Sequence, residues 1–403
     1  MRILLVSEDL PGAQVGGLGK HVVTLGNALI ARGHMVRILG RNDCGPDAGP
    51  AQIGFRGPVD PGFDYAHPGW KERQLGIFNP LKRPYFARKI GAAINRHAGR
   101  FDAVHYHGHL PAVGLYVDRG LNFVQTRHDQ GSECLVHLRF RDDDVCTARA
   151  ARDCSACIAA GAGALRRSVT ALAVDGYRQA SARVFAMRKT VFVSDFLRRQ
   201  FLRAVPGADL ARCRVIPNFV DYAALRQAAE AAPAAGAGAV GLVGRVDAGK
   251  GFAEFLAAAH GRLPAHARVT IAGDGPERGR LEARYAAPAV CFLGWQDYPS
   301  ALALAARSHV CVVPSVCEEA CSTTVLEALA LGRPCLALAR GGTPELASYQ
   351  QYPGQLQLAA NMPELVERLR LILATAPRRR APAPQFGADA AVIVSRLVDL
   401  YAE

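Results

Sequence analysis

An alternation that runs through the chain twice constrains the fold most. In the first half, short apolar runs recur at residues 3–6, 36–39, 103–106, 123–126 and 190–193. Each is short enough for a strand and apolar enough to be buried on both faces. Between the first two, residues 18–32 carry helical spacing and stop at Gly33. Strands that alternate with helices imply a parallel sheet with helices on both faces. The pattern restarts with runs at 240–243, 268–271, 290–292, 310–313 and 334–337, and helices are expected near 252–260, 298–307 and 323–331. Between the two series lies AAPAAGAGA, residues 231–239, which reads as a linker or a loosely packed loop.

With 403 residues and roughly 100–200 residues per domain, two domains are expected. We read 1–221 as one Rossmann-like α/β domain, with a Cys-containing insertion at about 131–160, and 222–385 as a second. A Pro-rich break, Pro377 to Pro384, precedes a terminal helix within 386–403. Its residues Val392, Val394, Leu397, Val398 and Tyr401 follow helical spacing, and such a helix can pack back on either domain. Half of the residues are hydrophobic, which excludes disorder as the main state. No apolar run reaches the ~18 residues of a membrane span. The opening MRILLVSED reads as a first buried strand rather than a secretory segment. A cytoplasmic protein is expected, and its eleven cysteines are then reduced.

The net charge of +13 is unevenly spread: up to Asp221 there are 31 Lys and Arg against 19 Asp and Glu, and beyond it 17 against 16. A basic first half suits an anionic membrane or a phosphorylated ligand, or is a solvated face. Basic residues interleave with aromatics only at Lys82-Arg83-Pro84-Tyr85-Phe86, so nucleic acid is not the expected partner.

The chemistry concentrates in the second half. Gly244-Arg245 closes a strand and Lys250-Gly251 opens the next helix. Two cations flanking a turn at a strand's carboxyl end can clamp a diphosphate, Arg through its fork and Lys as a point charge. After the run at 310–313 comes Pro314-Ser315-Val316-Cys317-Glu318-Glu319-Ala320-Cys321-Ser322-Thr323-Thr324-Val325-Leu326-Glu327. The amides of Thr323 and Thr324 would open a helix and favour an anion. Glu327, one turn on, is either the capping-box partner of Thr324 or the acceptor for a ribose cis-diol. Glu319, on the loop, can reach hydroxyls of a sugar beyond the diphosphate.

In this order the elements resemble the retaining nucleotide-sugar glycosyltransferases of the GT-B fold, specifically glycosyltransferase family 4 (glycosyl transferases group 1), over nearly the whole chain. Glu319 and Glu327 match that family's E-x7-E element, and Gly244-Arg245 with Lys250-Gly251 its diphosphate clamp. Ala272-Gly273-Asp274-Gly275-Pro276-Glu277, Val290 to Gly294, Gly341-Gly342 with Pro344-Glu345, and Val215 to Asp221 are similar to further family segments. Gly16-Gly17-Leu18-Gly19 resembles the glycine loop facing the donor, and Thr126-Arg127-His128 the strand end whose histidine lies by the donor sugar. The family has Gly-Phe-Gly where this chain has Ala320, Cys321 and Ser322.

The resemblance implies two Rossmann-like domains facing a cleft, and transfer from a UDP- or GDP-sugar to a hydroxyl acceptor without a catalytic metal. His128, Arg245, Lys250 and Glu319 would be catalytic. Gly16, Gly17, Gly294, Ala320, Cys321, Ser322, Thr323, Thr324 and Glu327 would join the clamp in donor binding. Polysaccharide, lipopolysaccharide or glycolipid synthesis at the inner membrane face is the matching role. The rival readings are a GT-B epimerase on the same donors, and a basic module for membrane or nucleic acid. A dinucleotide-binding dehydrogenase fits poorly, because Gly12, Gly16, Gly17 and Gly19 do not form Gly-x-Gly-x-x-Gly after the first strand.

Three further signals concern metals. Asp142-Asp143-Asp144 reads as a solvated loop. Cys134, Cys146, Cys154 and Cys157, or three of them with His137, can hold a structural zinc, with free thiols or an oxidised disulfide the alternatives. His105, His107 and His109 alternate at a strand end and would share one side if the strand continued.

Overall fold

A computed structural model describes residues 1–11, 16–43, 53–65, 82–233, 235–377 and 382–403; Gly12 and residues 378–381 of the Pro-rich break lie outside them. Up to residue 217 the strands are β1 (Arg2–Ser7), β2 (Met35–Arg41), β3 (Val59–Phe63), β4 (Ala103–His107), β5 (Phe123–Arg127), β6 (Phe140–Arg141), β7 (Asp144–Val145), β8 (Lys189–Phe192) and β9 (Cys213–Val215). The helices there are α1 (Gly17–Ala31), α2 (Arg83–Ala98), α3 (Ala151–Ile158), α4 (Ala164–Met187) and α5 (Asp195–Ala204). Beyond it come α6 (Tyr222–Ala231), β10 (Ala239–Val243), α7 (Phe252–Ala259), β11 (Arg268–Ala272), α8 (Arg278–Tyr285), β12 (Val290–Gly294), α9 (Tyr298–Arg307), β13 (Val310–Val313), α10 (Thr323–Ala330), β14 (Cys335–Leu338), β15 (Leu356–Ala359), α11 (Met362–Leu373) and α12 (Ala390–Ala402).

Two compact units result: Met1–Arg139, Thr147–Pro217 and Ala390–Glu403 form one, and Phe140–Cys146 with Asn218–Asp389 the other. In the first, the sheet order is β3-β2-β1-β4-β5-β8-β9; in the second it is β12-β11-β10-β13-β14-β15. Neighbours run parallel throughout, as between β1 and β4 and between β10 and β13. Parallel strands need crossover helices, and the central strands β4, β5, β13 and β14 bury completely. Leu4, Val6 and Tyr106 pack with Phe86 and Ile90 in the first core; Leu242, Ile271 and Val312 pack with Phe255 and Leu369 in the second. Strand order reverses between β1 and β4 and between β10 and β13. The carboxyl edge at such a reversal is where open α/β sheets bind ligands.

The expected strands lie where the apolar runs place them. The edge strands β3, β9 and β15 are additional, and β3 holds Pro61, which an edge tolerates because its missing N–H costs no ladder bond. The change of unit falls between Pro217 and Asn218 rather than after Asp221. Asn218 Nδ2 donates to the Cys321 carbonyl at 3.0 Å, and Val220 bridges to Asp389, which ties residues 218–221 to the second unit. The AAPAAGAGA stretch lies inside that unit, between α6 and β10, and is not the link. Helix α12 belongs to the first unit, where Asn122 Nδ2 donates to the Tyr401 carbonyl at 2.7 Å and Lys189 Nζ to that of Leu400 at 2.9 Å. Asp142 and Asp143 form the two-residue turn of the β6–β7 hairpin, both with positive φ (53° and 58°), the backbone of a type I′ turn.

Candidate active site

The second unit's site grows from the paired ends of β10 and β13. After β10, Asp247 accepts the amide of Lys250 on Oδ1 at 3.2 Å and so caps the short turn Ala248–Lys250. Its other oxygen takes Arg245 Nε at 2.5 Å. One carboxylate therefore fixes both cations. After β13, the amides of Val316 and Cys317 donate to the Gly249 carbonyl at 3.1 and 3.0 Å, so the two loops are stitched together.

That stitching carries Glu319 to Lys250. Lys250 Nζ donates to Glu319 Oε1 at 2.6 Å, and Ser315 Oγ donates to the same oxygen at 2.7 Å. Burial pushes the Glu319 carboxyl up, but the ammonium and the two hydrogen bonds outweigh it and hold it below the usual range. Lys250 is shifted the other way: burial opposes its charge, and Glu319 more than restores it. The pair is ionised at neutral pH.

Two glycines make the approach possible. Gly251 has φ +70°, and a Cβ there would stand 2.1 Å from the Pro314 carbonyl oxygen. Gly341 has φ +59°, and its Cβ would lie 2.3 Å from the Glu319 carbonyl oxygen, to which Gly342 N donates at 2.7 Å. The late double glycine thus supports the Glu319 loop. Gly251→Ala is expected to destabilise the second unit by about 2–4 kcal/mol, because left-handed strain adds to the clash. A urea-unfolding midpoint unchanged from the parent would contradict this.

Helix α10 opens beside this knot. Its N-cap is Ser322, whose side chain makes no capping bond, and its first turn holds no acid. The capping-box alternative for Thr324 and Glu327 is therefore not formed, and the Thr323 and Thr324 amides point out of the helix end. Glu327 is buried and accepts the Tyr298 hydroxyl, which burial and then Glu327 keep protonated. Ala320, Cys321 and Ser322 lead into the helix, and burial raises the Cys321 thiol to about 12, so it stays neutral. Gly294 ends β12 with φ +70° and accepts Gly273 N at 2.8 Å.

The first unit gathers histidines at the carboxyl edge of β4 and β5. Gly16 caps α1, and at Gly17 a Cβ would meet nothing within 4 Å among the described residues. The His105-His107-His109 set does not share one side. β4 stops at His107; His105 turns to Thr126 Oγ1 (2.7 Å) and the Tyr401 hydroxyl (2.6 Å), while His109 Nδ1 meets Asp129 Oδ2 at 2.5 Å. His107 Nδ1 lies 3.0 Å from His128 Nε2, and the His21 ring sits edge-on to His128 at 4.6 Å. Burial drives His21 and His105 down to about 3 and His107 and His128 well below the imidazole range, so His128 is a neutral hydrogen-bonding group. Burial also opposes charge on His109, but Asp129, with Glu8 and Asp9, lifts it to about 9.

Among the described residues, the side chains that converge as metal ligands would are His21, His107 and His128, and separately His109, Asp129 and His137. Neither group includes Cys134, Cys146, Cys154 or Cys157. Cys154 accepts from Arg178 Nη2 at 3.2 Å, and burial raises the Cys134 thiol to about 11. Asp142 is largely exposed in its turn and joins neither group. Sequence reasoning missed Asp247, Ser315 and Asn218. Only Asp247 leaves a signal, an N-cap residue three before Lys250.

Two parallel α/β units, one carrying a cation-and-carboxylate knot beside an uncapped helix at its switch point, define a GT-B glycosyltransferase. The description "Glycosyltransferase Family 4" matches residues 15–224, and "Glycosyl transferases group 1" matches 237–382. The chain belongs to glycosyltransferase family 4. It is 28% identical over 363 residues to a glycogen synthase of Mycobacterium tuberculosis, covering 86% of this chain and 80% of that one. The catalytic domain of starch synthase IV from Arabidopsis thaliana, bound to ADP and acarbose, has the same fold with a TM-score of 0.67 and 16% identity, over 100% of this chain and 98% of the other. Anabaena HepE in complex with UDP and glucose aligns with a TM-score of 0.62 and 17% identity over 100% of both chains.

Proposed function

We propose that this glycosyltransferase moves a hexosyl group from a nucleoside diphosphate sugar to a hydroxyl acceptor with retention of anomeric configuration. The observation that carries this reading is the Lys250–Glu319–Ser315 contact, with Arg245 fixed by Asp247 and the open end of α10 beside it. Arg245, Lys250 and the Thr323 and Thr324 amides take the diphosphate, and Glu327 takes the ribose hydroxyls. Glu319, with the backbone of Ala320, Cys321 and Ser322, takes hydroxyls of the sugar. Gly294 lies towards the base. Gly16 and Gly17 let main chain approach the donor, and His128, neutral, hydrogen-bonds the transferred sugar.

In the transfer step the bond from anomeric carbon to phosphate oxygen breaks as the acceptor oxygen bonds to that carbon on the same face. The departing phosphate accepts the acceptor's proton. The clamp and the helix amides stabilise the charge that develops on the leaving group, so no metal is required. The relatives holding UDP or ADP favour those nucleotides over GDP. The basic first half favours an acceptor that carries phosphate, as in envelope polysaccharide or glycolipid synthesis at the inner membrane face.

A panel of UDP-, ADP- and GDP-sugars, scored by thermal shift and slow donor hydrolysis, tests the reading without an acceptor. One nucleotide series should raise the melting temperature and release free sugar of unchanged anomeric configuration. No shift with any donor, or an inverted product, refutes it.

A further inference from the structure

Helix α4 has two faces of different use. Thr170, Val174, Tyr177, Ser181, Val184 and Phe185 are buried. There Val174 and Tyr177 share a small core with Leu135 and Ala151, which fastens the insertion to the helix. The opposite face is apolar as well. Leu165, Val169 and Leu172, spaced by four and three residues, are 82%, 44% and 74% exposed, and Met187 extends the row at 45%. With ~100° between successive residues, these side chains share one face. A single exposed leucine is ordinary; a row of them on one helix is a patch that marks an interaction site.

The surroundings say what kind of partner fits. Arg183 stands in line with the row and Arg166 about 100° to one side of it, and both are exposed. The Arg152 side chain on α3 is 87% exposed, and its acidic neighbour Asp153 stands 3.8 Å away. From residue 151 to 187 there are five Arg and no Lys, of which Arg178 is buried on the inner face, against two acids, Asp153 and Asp175. The helix opens after Gly161 and Gly163 without an acid in its first turn. Among the described residues no helix is long and apolar enough to cross a membrane. A surface helix with an apolar row, flanking arginines and a fixed inner face is the pattern of a helix that lies in a bilayer interface.

We propose that the outer face of α4 docks on an anionic bilayer. Leu165, Val169 and Leu172 enter the boundary between headgroups and acyl chains, and Arg166 and Arg183 meet the lipid phosphates. The excess of basic residues up to Asp221, 31 against 19 acids, draws the chain towards such a surface. This docking goes beyond the transferase reading, because it needs neither donor nor turnover.

Co-sedimentation with phosphatidylcholine vesicles, with and without phosphatidylglycerol, tests it. The full chain should bind the anionic vesicles and leave them as salt rises. Leu165→Asp with Leu172→Asp should weaken binding by about tenfold or more, and Arg166→Gln with Arg183→Gln by several-fold. Both pairs are exposed, so melting temperatures should stay at the parent value, and Lys250→Ala should bind vesicles like the parent. Loss of vesicle binding in Lys250→Ala as well, or equal binding by the double-aspartate variant, overturns the proposal. So does a chain that ignores both vesicle types. A dimer in size-exclusion chromatography that the leucine variants abolish would assign the face to a second copy instead.

Discussion

Glu319→Gln and Lys250→Ala are each expected to lower kcat by about 100- to 1000-fold with the fold retained. The size follows from what the pair does. In the proposed transfer Lys250 is the point charge aimed at the leaving diphosphate, and Glu319, which holds it at 2.6 Å, offers a carboxylate to the sugar. Glutamine keeps the size and can still accept from Ser315 and Lys250, but it brings no charge to hold the ammonium. Alanine removes the cation and leaves Glu319 with Ser315 as its hydrogen-bond donor. The pH dependence checks the assignment. Glu319 is shifted down, so its contribution is present above the ordinary carboxyl range near 4.5 and fades as pH falls through its lowered value. Lys250 is shifted up, so its contribution is present below about 10.5 and fades as pH rises through its raised value. Between those limits both stay charged, and the deficit of either variant should not vary with pH. Nucleotide release measured with the preferred donor reads this directly. Purified variants that turn over at near the parent rate would remove both residues from the site.

What the sequence discloses of this site depends on how local the signal is. Arg245, Lys250, Glu319 and Glu327 stand at spacings that carry chemistry, so they are legible before any fold is known. Asp247 and Ser315 work through single hydrogen bonds across two loops, and only the stitching of Val316 and Cys317 to Gly249 makes those bonds possible. Among the elements, β13 and α9 fall at the residues their apolar pattern marks, because a strand buried on both faces reads as an unbroken run. β15 is blurred by the half-buried Gln357 in its short run. α4 hides its period because its inner face buries Thr170, Arg178 and Ser181, while its outer face shows leucine. The histidines mislead for a different reason. An alternating His-x-His-x-His promises one face only while the strand lasts, and His109 lies past its end. Its partner Asp129 and the neighbours His21 and His137 arrive from elsewhere in the chain.

Those histidines set the second large effect, a loss of stability in the first unit as pH falls below about 6.5. His21 and His105 are 8% and 0% exposed, and burial holds both near 3, so the fold keeps them neutral. The unfolded chain binds protons at these groups from about 6.5 downward, and stability then falls with pH. At pH 5 each costs about 2 kcal/mol, so this pair alone removes roughly 4 kcal/mol. His107 and His128, shifted the same way, add to it. Two groups act in the opposite sense at higher pH. His109, raised to about 9, stabilises fully below 6.5 and loses that contribution as pH climbs through 9. Glu133, raised to about 8 by burial, makes the fold progressively less stable from 4.5 up to 8. Stability of the first unit should therefore peak near pH 6.5 and fall on both sides, steeply towards acid. Urea unfolding with proteolytic fragments from residues 1–217 as the readout follows this unit by itself. His105→Gln, which keeps hydrogen-bonding capacity but binds no proton, should flatten the acid limb between pH 6.5 and 5. A midpoint that stays constant from pH 7 to 5 in the parent would mean the imidazoles are not held neutral, and the neutral hydrogen-bonding role of His128 would go with it.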